Sequence, residues 1–72
     1  MSAFTLRQSL AAAAERLANR SASPRLDAEL LLAAALERAR SYLHAWPERM
    51  LEAEPAARFA AWLERRQRGE PM

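Results

Sequence analysis

His44 is the only histidine in the sequence, and Glu48, Glu52 and Glu54 follow it closely. An imidazole beside carboxylates is the raw material of general acid–base catalysis or of a metal centre. Neither chemistry is completed here. Catalysis needs a nucleophile, or a group that orients the histidine, and no such residue stands at a recognisable spacing. Zinc needs three or four ligands, whereas the chain has no cysteine and scattered glutamates. Calcium or magnesium needs oxygen ligands wrapped around a loop, and residues 48–54 contain no glycine to turn one. The three glutamates read as a solvated face, and His44 as a packed or surface residue. Catalytic, cofactor-binding and metal-ligating residues are therefore expected to be absent.

A second group is basic. Arg65, Arg66 and Arg68 lie at the end of the chain, with Arg58 two turns earlier. They complement the negative end of a helix, and they are also candidates for contact with a partner. Either Arg65 or Arg66 is placed to meet Asp27 or Glu29 across a bundle. Arg25 is a further candidate, because it falls near a helix start, where the dipole does not favour a cation; that misfit points to an acidic neighbour. All 11 basic residues are arginine, yet the net charge is only +2. The pI near 10.4 reports arginine more than an excess of charge. A nucleic-acid binder of this size normally carries a larger surplus on one face, so nucleic acid is disfavoured.

Gly69 is the only glycine. Phosphate cradles of the dinucleotide or Walker type need glycine-rich backbone, so both are excluded. Trp46 and Trp62 are expected in the core, and Tyr42 half-exposed with its hydroxyl wet.

These residues must be carried by helices. Valine and isoleucine are absent and Thr5 is the only threonine, whereas Ala, Leu, Arg and Glu dominate. Thr5 and Gln8 fit a capping box, and Leu6, Leu10, Ala13, Ala14 and Leu17 follow at helical spacing. This predicts a first helix to about Asn19 or Arg20. Ser23 as cap and Pro24 in the first turn open a second, running to about Ala39. Leu30, Leu31 and Leu32 fan over about 200° of its girth, which makes it the central helix. Ser41 is expected to cap a short helix through Trp46. Residues 48–54 are expected to make one more turn, with Met50 and Leu51 inward. A last helix opens at Pro55, with Glu54 at its cap, pairs Glu64 with Arg68, and ends at Gly69, with Pro71 barring continuation. The fold class is all-α: a small bundle of three main helices plus one or two short ones. At 72 residues it is one domain with stability on the order of a few kcal/mol. The run Leu10–Ala14 is too short for a signal peptide and is interrupted by Glu15 and Arg16. No stretch approaches the roughly 20 apolar residues of a membrane helix. A cysteine-free chain of this kind is expected in the cytoplasm, without membrane contact.

Two stretches carry a family resemblance: SPRLDAELLL, residues 23–32, and ERRQRGEPM, residues 64–72. Their order and separation, with an aromatic-rich short helix between them, resemble the N-terminal domain of the bacterial release-factor glutamine methyltransferases. The resemblance spans essentially the whole chain. It implies an enzyme that moves a methyl group from S-adenosylmethionine to the side-chain amide nitrogen (N5) of a glutamine. That glutamine lies in the Gly-Gly-Gln motif of class I peptide chain release factors. In the family, catalysis belongs to a C-terminal Rossmann-like domain with a glycine-rich cofactor loop and an Asn-Pro-Pro-Tyr motif, neither of which is in this sequence. The implied role of the helical domain, residues 1–68, is to recognise the release factor. Residues 69–72 resemble the start of the linker into the catalytic domain, so the chain is expected to be a fragment with no activity or cofactor of its own. The alternative is a free-standing helical module that binds nucleic acid or protein through Arg58, Arg65, Arg66 and Arg68.

Overall fold

The computed structural model describes residues 4–69 and contains four helices: α1 (Leu6–Leu17), α2 (Pro24–Leu36), α3 (Arg40–Ala45) and α4 (Ala53–Gln67). The all-α expectation holds. The second helix is central, since α2 packs against α1, α3 and α4. Its Ala28, Leu32 and Ala35 are completely buried among Leu6, Leu10, Leu17, Leu43 and Leu63. Leu31 is buried too, but Leu26 and Leu30 remain 40% and 38% exposed.

The capping box of α1 is formed. Gln8 N donates to Thr5 Oγ1 at 3.1 Å, and Thr5 N to Gln8 Oε1 at 2.9 Å. The two N–H groups ahead of Gln8 have no partner within a helix, and a distant segment supplies acceptors. Leu6 N donates to Arg49 O at 2.8 Å and Arg7 N to Pro47 O at 2.9 Å. Leu51 N returns a bond to Phe4 O, and Thr5 and Met50 form an antiparallel bridge.

This bridge replaces the helical turn expected over residues 48–54. The carbonyls of Pro47 and Arg49 are turned toward α1 and Leu51 N donates to Phe4 O, so the segment does not close a helical turn of its own. Extended backbone sends successive side chains to opposite sides, so Leu51 packs on the core while Met50 is 51% exposed rather than inward.

Four helix boundaries also differ from expectation. Helix α1 stops at Leu17, short of Asn19, and α2 stops at Leu36, short of Ala39. Glu37 adopts the left-handed conformation, with φ 58°, and residues 37 and 38 donate to Ala34 O and Ala33 O. This is a Schellman closure without glycine. Helix α3 starts at Arg40 with Ala39 at its cap, so Ser41 lies inside it. Helix α4 starts at Ala53 with Glu52 at the cap, which puts Pro55 at its third position, where no N–H is needed. Gly69, with φ 90°, ends α4 as expected; Pro71 lies outside the described residues.

Two side-chain expectations are corrected. Ser23 occupies the cap position of α2 but its hydroxyl makes no capping bond. Ser21 substitutes for it: its Oγ accepts from Ser23 N at 3.1 Å and donates to Asp27 Oδ2. Trp46 is 54% exposed, not core, because α3 ends beneath it and the chain turns away. Trp62 packs partly buried against the core and Tyr42 is half-buried.

Candidate functional site

The arginines singled out from the sequence fall into separate settings. On α4, at about 100° per residue, Arg58, Trp62, Arg65 and Arg66 share an arc of about 100° that borders α2. Arg66 Nη2 donates to Asp27 Oδ2 at 3.1 Å. Arg58 Nη2 donates to Ala35 O at 2.7 Å and its Nη1 meets Glu54 at 3.3 Å. The two cross-helix contacts run in opposite order along the chain, so α2 and α4 are antiparallel. Arg68 lies about 80° off Arg58 and pairs with Glu64 at 3.4 Å, the expected i,i+4 pair.

The contact between Asp27 and Arg66 is the cross-bundle tie expected from the sequence. It joins SPRLDAELLL to ERRQRGEPM in space, although the partners stand 39 residues apart. Arg66 Nε is buried with no hydrogen-bond partner among the described residues. That loss subtracts from the pair's stabilising effect and leaves it chiefly an orienting contact.

Arg25 stands elsewhere. Its Nε donates to Glu29 at 3.2 Å, the acidic neighbour that its misplaced charge implied. Glu29 is the one buried charged residue among those described, 5% exposed. It gathers two arginines and a histidine: Arg25, Arg40 through both Nε and Nη2 at 3.2 and 2.9 Å, and His44 Nε2 at 3.4 Å. Burial pushes its carboxyl up. Hydrogen bonds from Arg40 and Arg25, with the charges of His44 and Arg40, outweigh that and hold it below the ordinary glutamate value. The cluster ties α3 to α2, and it explains His44 as an exposed member of an ion network. The stripe Leu26, Leu30 and Ala34 separates this cluster from the Arg58–Arg66 side. Arg25 therefore does not join the α4 arginines in one patch.

The sequence reading missed two further arginines. Arg38 lies over the Tyr42 ring, 5.3 Å from its centroid, and Arg49 over Trp46 at 5.9 Å. The i,i+4 spacing of Arg38 and Tyr42 was a usable signal; Arg49 and Trp46 carried none. Both flank the end of the bundle where α3, the 47–52 segment and the start of α4 meet. That end holds a cleft of about 500 Å³ lined by Tyr42, Met50, Pro55, Arg38, Arg49 and Arg58, among others. Glu48 pairs with Arg7 instead of joining Glu52 and Glu54 in an acidic site. Among the described residues, no three His, Cys, Asp or Glu side chains gather as metal ligands. No helix among them is long and apolar enough to cross a membrane.

The PrmC N-terminal domain family matches residues 8–72. Relatives that carry the name release factor glutamine methyltransferase also match. That of Pseudomonas aeruginosa is 54% identical over 52 residues, 72% of this chain. Those of Vibrio cholerae and Koribacter versatilis are 45% and 46% identical, each over 69 residues, or 94% of this chain. The chain spans only 19%, 24% and 25% of these relatives' own lengths. No solved structure matches it significantly. With nearly all of α1 and the whole of α2, α3 and α4 inside the matched residues, the chain belongs to the PrmC N-terminal domain family.

Proposed function

We propose that this chain is the N-terminal, substrate-recognition domain of a protein-(glutamine-N5) methyltransferase acting on the Gly-Gly-Gln glutamine of class I peptide chain release factors. The observation that carries the reading is the match over residues 8–72 to a family whose relatives bear that name. In this reading residues 1–68 form the helical domain, and residues 69–72 begin the linker to a catalytic domain. Methyl transfer belongs to that domain, as does S-adenosylmethionine. This chain does not fit the cofactor, because Gly69 ends α4 and no glycine-rich loop exists elsewhere in the sequence. A cytoplasmic setting, where release factors act, follows.

Recognition then rests on exposed helix surface. Arg58, Arg65, Arg66 and Arg68 on α4, with Arg25 on α2, are the first candidates, since arginine is enriched where proteins dock. Arg25, 55% exposed and held by Glu29, presents an oriented edge at low entropic cost, whereas Arg58 and Arg66 are partly committed to Ala35 O and Glu54 and to Asp27.

The test is an NMR titration of isotope-labelled chain with unmodified class I release factor at increasing salt. Saturating shifts on one face that survive moderate salt are the expected result. Shifts that collapse steeply with salt, and appear equally with an RNA oligonucleotide, would favour the nucleic-acid alternative. Phosphate contacts lose about 0.7–0.9 log units of affinity per log unit of salt each.

A further inference from the structure

The cleft at the α3 end of the bundle has the chemistry of a docking site for a protein segment. Met50 in its lining is 51% exposed, and two further open side chains adjoin lining residues: Trp46, 54% exposed, beneath Arg49, and Phe4, 52% exposed, beside the Thr5–Met50 bridge. The Thr5–Met50 bridge and the Leu51 N to Phe4 O bond fix the backbone at Phe4 and Met50. Aromatic, methionine and arginine side chains are those enriched at interface centres.

The arginines at the cleft are in two states. Arg58 is spent on Ala35 O and Glu54. Arg38 and Arg49 are stacked on Tyr42 and Trp46, and neither pairs with a carboxylate among the described residues. A guanidinium stacked on a ring keeps its N–H edge free for bidentate binding of a carboxylate, and stacking removes part of the ordering cost. Glu52, also in the lining, opposes that charge and has no side-chain bond to the α4 cap.

We infer that this cleft docks an acidic segment of the partner protein. A carboxylate on the segment meets Arg38 and Arg49, and an adjoining apolar side chain covers Met50. The inference rests on the reading that the partner is a class I release factor. Position supports a partner rather than the chain's own continuation. The cleft takes Pro55 and Arg58 at the start of α4, whereas Gly69 lies at the other end of a 15-residue helix, a length of about 22 Å. In the proposed domain order the linker to the catalytic domain leaves from the Gly69 end of α4, the end away from the cleft.

The experiment follows arginine Nε–H and tryptophan indole resonances of the 72-residue chain during titration with unmodified class I release factor. Arg38, Arg49 and the Trp46 indole shift and saturate. The double variant R38E/R49E, checked for folding by circular dichroism, binds at least about tenfold more weakly, as expected when charge-assisted bonds become repulsive. Glu52→Gln, at an exposed position, binds about two- to threefold more tightly, because an opposing charge is removed; a merely structural cleft would not respond in that direction. Equal binding by parent, R38E/R49E and Glu52→Gln overturns the inference and leaves release-factor recognition standing. So do shifts confined to Arg65–Arg68. Absence of any binding by the folded chain overturns both, and cleft shifts with an RNA oligonucleotide alone overturn the choice of partner.

Discussion

Glu29→Gln is the sharpest probe of the ion cluster between α2 and α3. The substitution keeps size and shape but removes the charge. In the parent, a carboxylate that is 5% exposed accepts from Arg25 and twice from Arg40, with His44 beside it. An amide keeps one acceptor and turns its other end into a donor facing guanidinium donors. Hydrogen bonds to charged groups contribute about 1.5–3 kcal/mol each. The arginine side chains are 55% and 47% exposed and recover water when released, which discounts the loss. A net cost of about 1–3 kcal/mol at pH 7 results. With a urea slope near 1 kcal/mol/M for so small a domain, the midpoint falls by about 1–3 M. The effect depends on pH. The folded carboxyl titrates below its unfolded value, so the unfolded chain binds the proton first as pH falls. The stabilisation is full above the unfolded value of about 4.3 and disappears as pH drops through the lower folded value. Parent and variant should differ most at pH 7 and less as the pH falls below the unfolded value, measured by circular dichroism in urea. An unchanged midpoint at pH 7, or a gap that does not narrow in acid, refutes the account.

Three other outcomes are expected. Ser21→Ala lowers stability by about 1 kcal/mol, because its hydroxyl bridges Ser23 N and Asp27, whereas Ser23→Ala stays within about 0.5 kcal/mol; paired denaturation midpoints check the order. Glu37→Gly stabilises by about 0.5–1 kcal/mol, since glycine takes the left-handed φ of 58° without Cβ strain, and a higher melting temperature is the readout. Leu31→Ala, at a buried site on the central helix, costs about 2–5 kcal/mol. For a domain this small that is enough to leave much of the chain unfolded at 25 °C, visible as lost ellipticity at 222 nm.

What could be read from the sequence was what side chains announce locally. Thr5 and Gln8 cap α1 because their spacing closes two bonds within one turn, and Gly69 ends α4 because it tolerates positive φ. Acidic residues early in α2 and arginines late in α4 made a cross-bundle tie legible, but not the choice of Asp27 and Arg66 over Glu29 and Arg65. The misses lie where the determinant is distant or atypical. Glu37 ends α2 without glycine, so Glu, Arg and Ala read as continuing helix. The residues after Pro47 look helical by composition, yet their carbonyls are claimed by the start of α1. Trp46 looks like core by type, but the six-residue α3 ends there and no helix covers it. The same distance hides the cleft: Arg38, Arg49 and Arg58 lie on three separate segments, and only packing brings them together.

The start of α1 has a consequence for biosynthesis. Its first two amides are satisfied by the carbonyls of Arg49 and Pro47, forty or more residues downstream. During translation, α1 emerges first but cannot complete its own beginning. Until the chain through Leu51 has left the ribosome exit tunnel, that end holds only its Thr5–Gln8 box and water. The helix made earliest is thus finished by a late-arriving segment. This sets a lower limit on the nascent length at which the bundle locks, and stalled chains ending before and after Leu51 clears the tunnel should differ sharply in protection of the Leu6 and Arg7 amides.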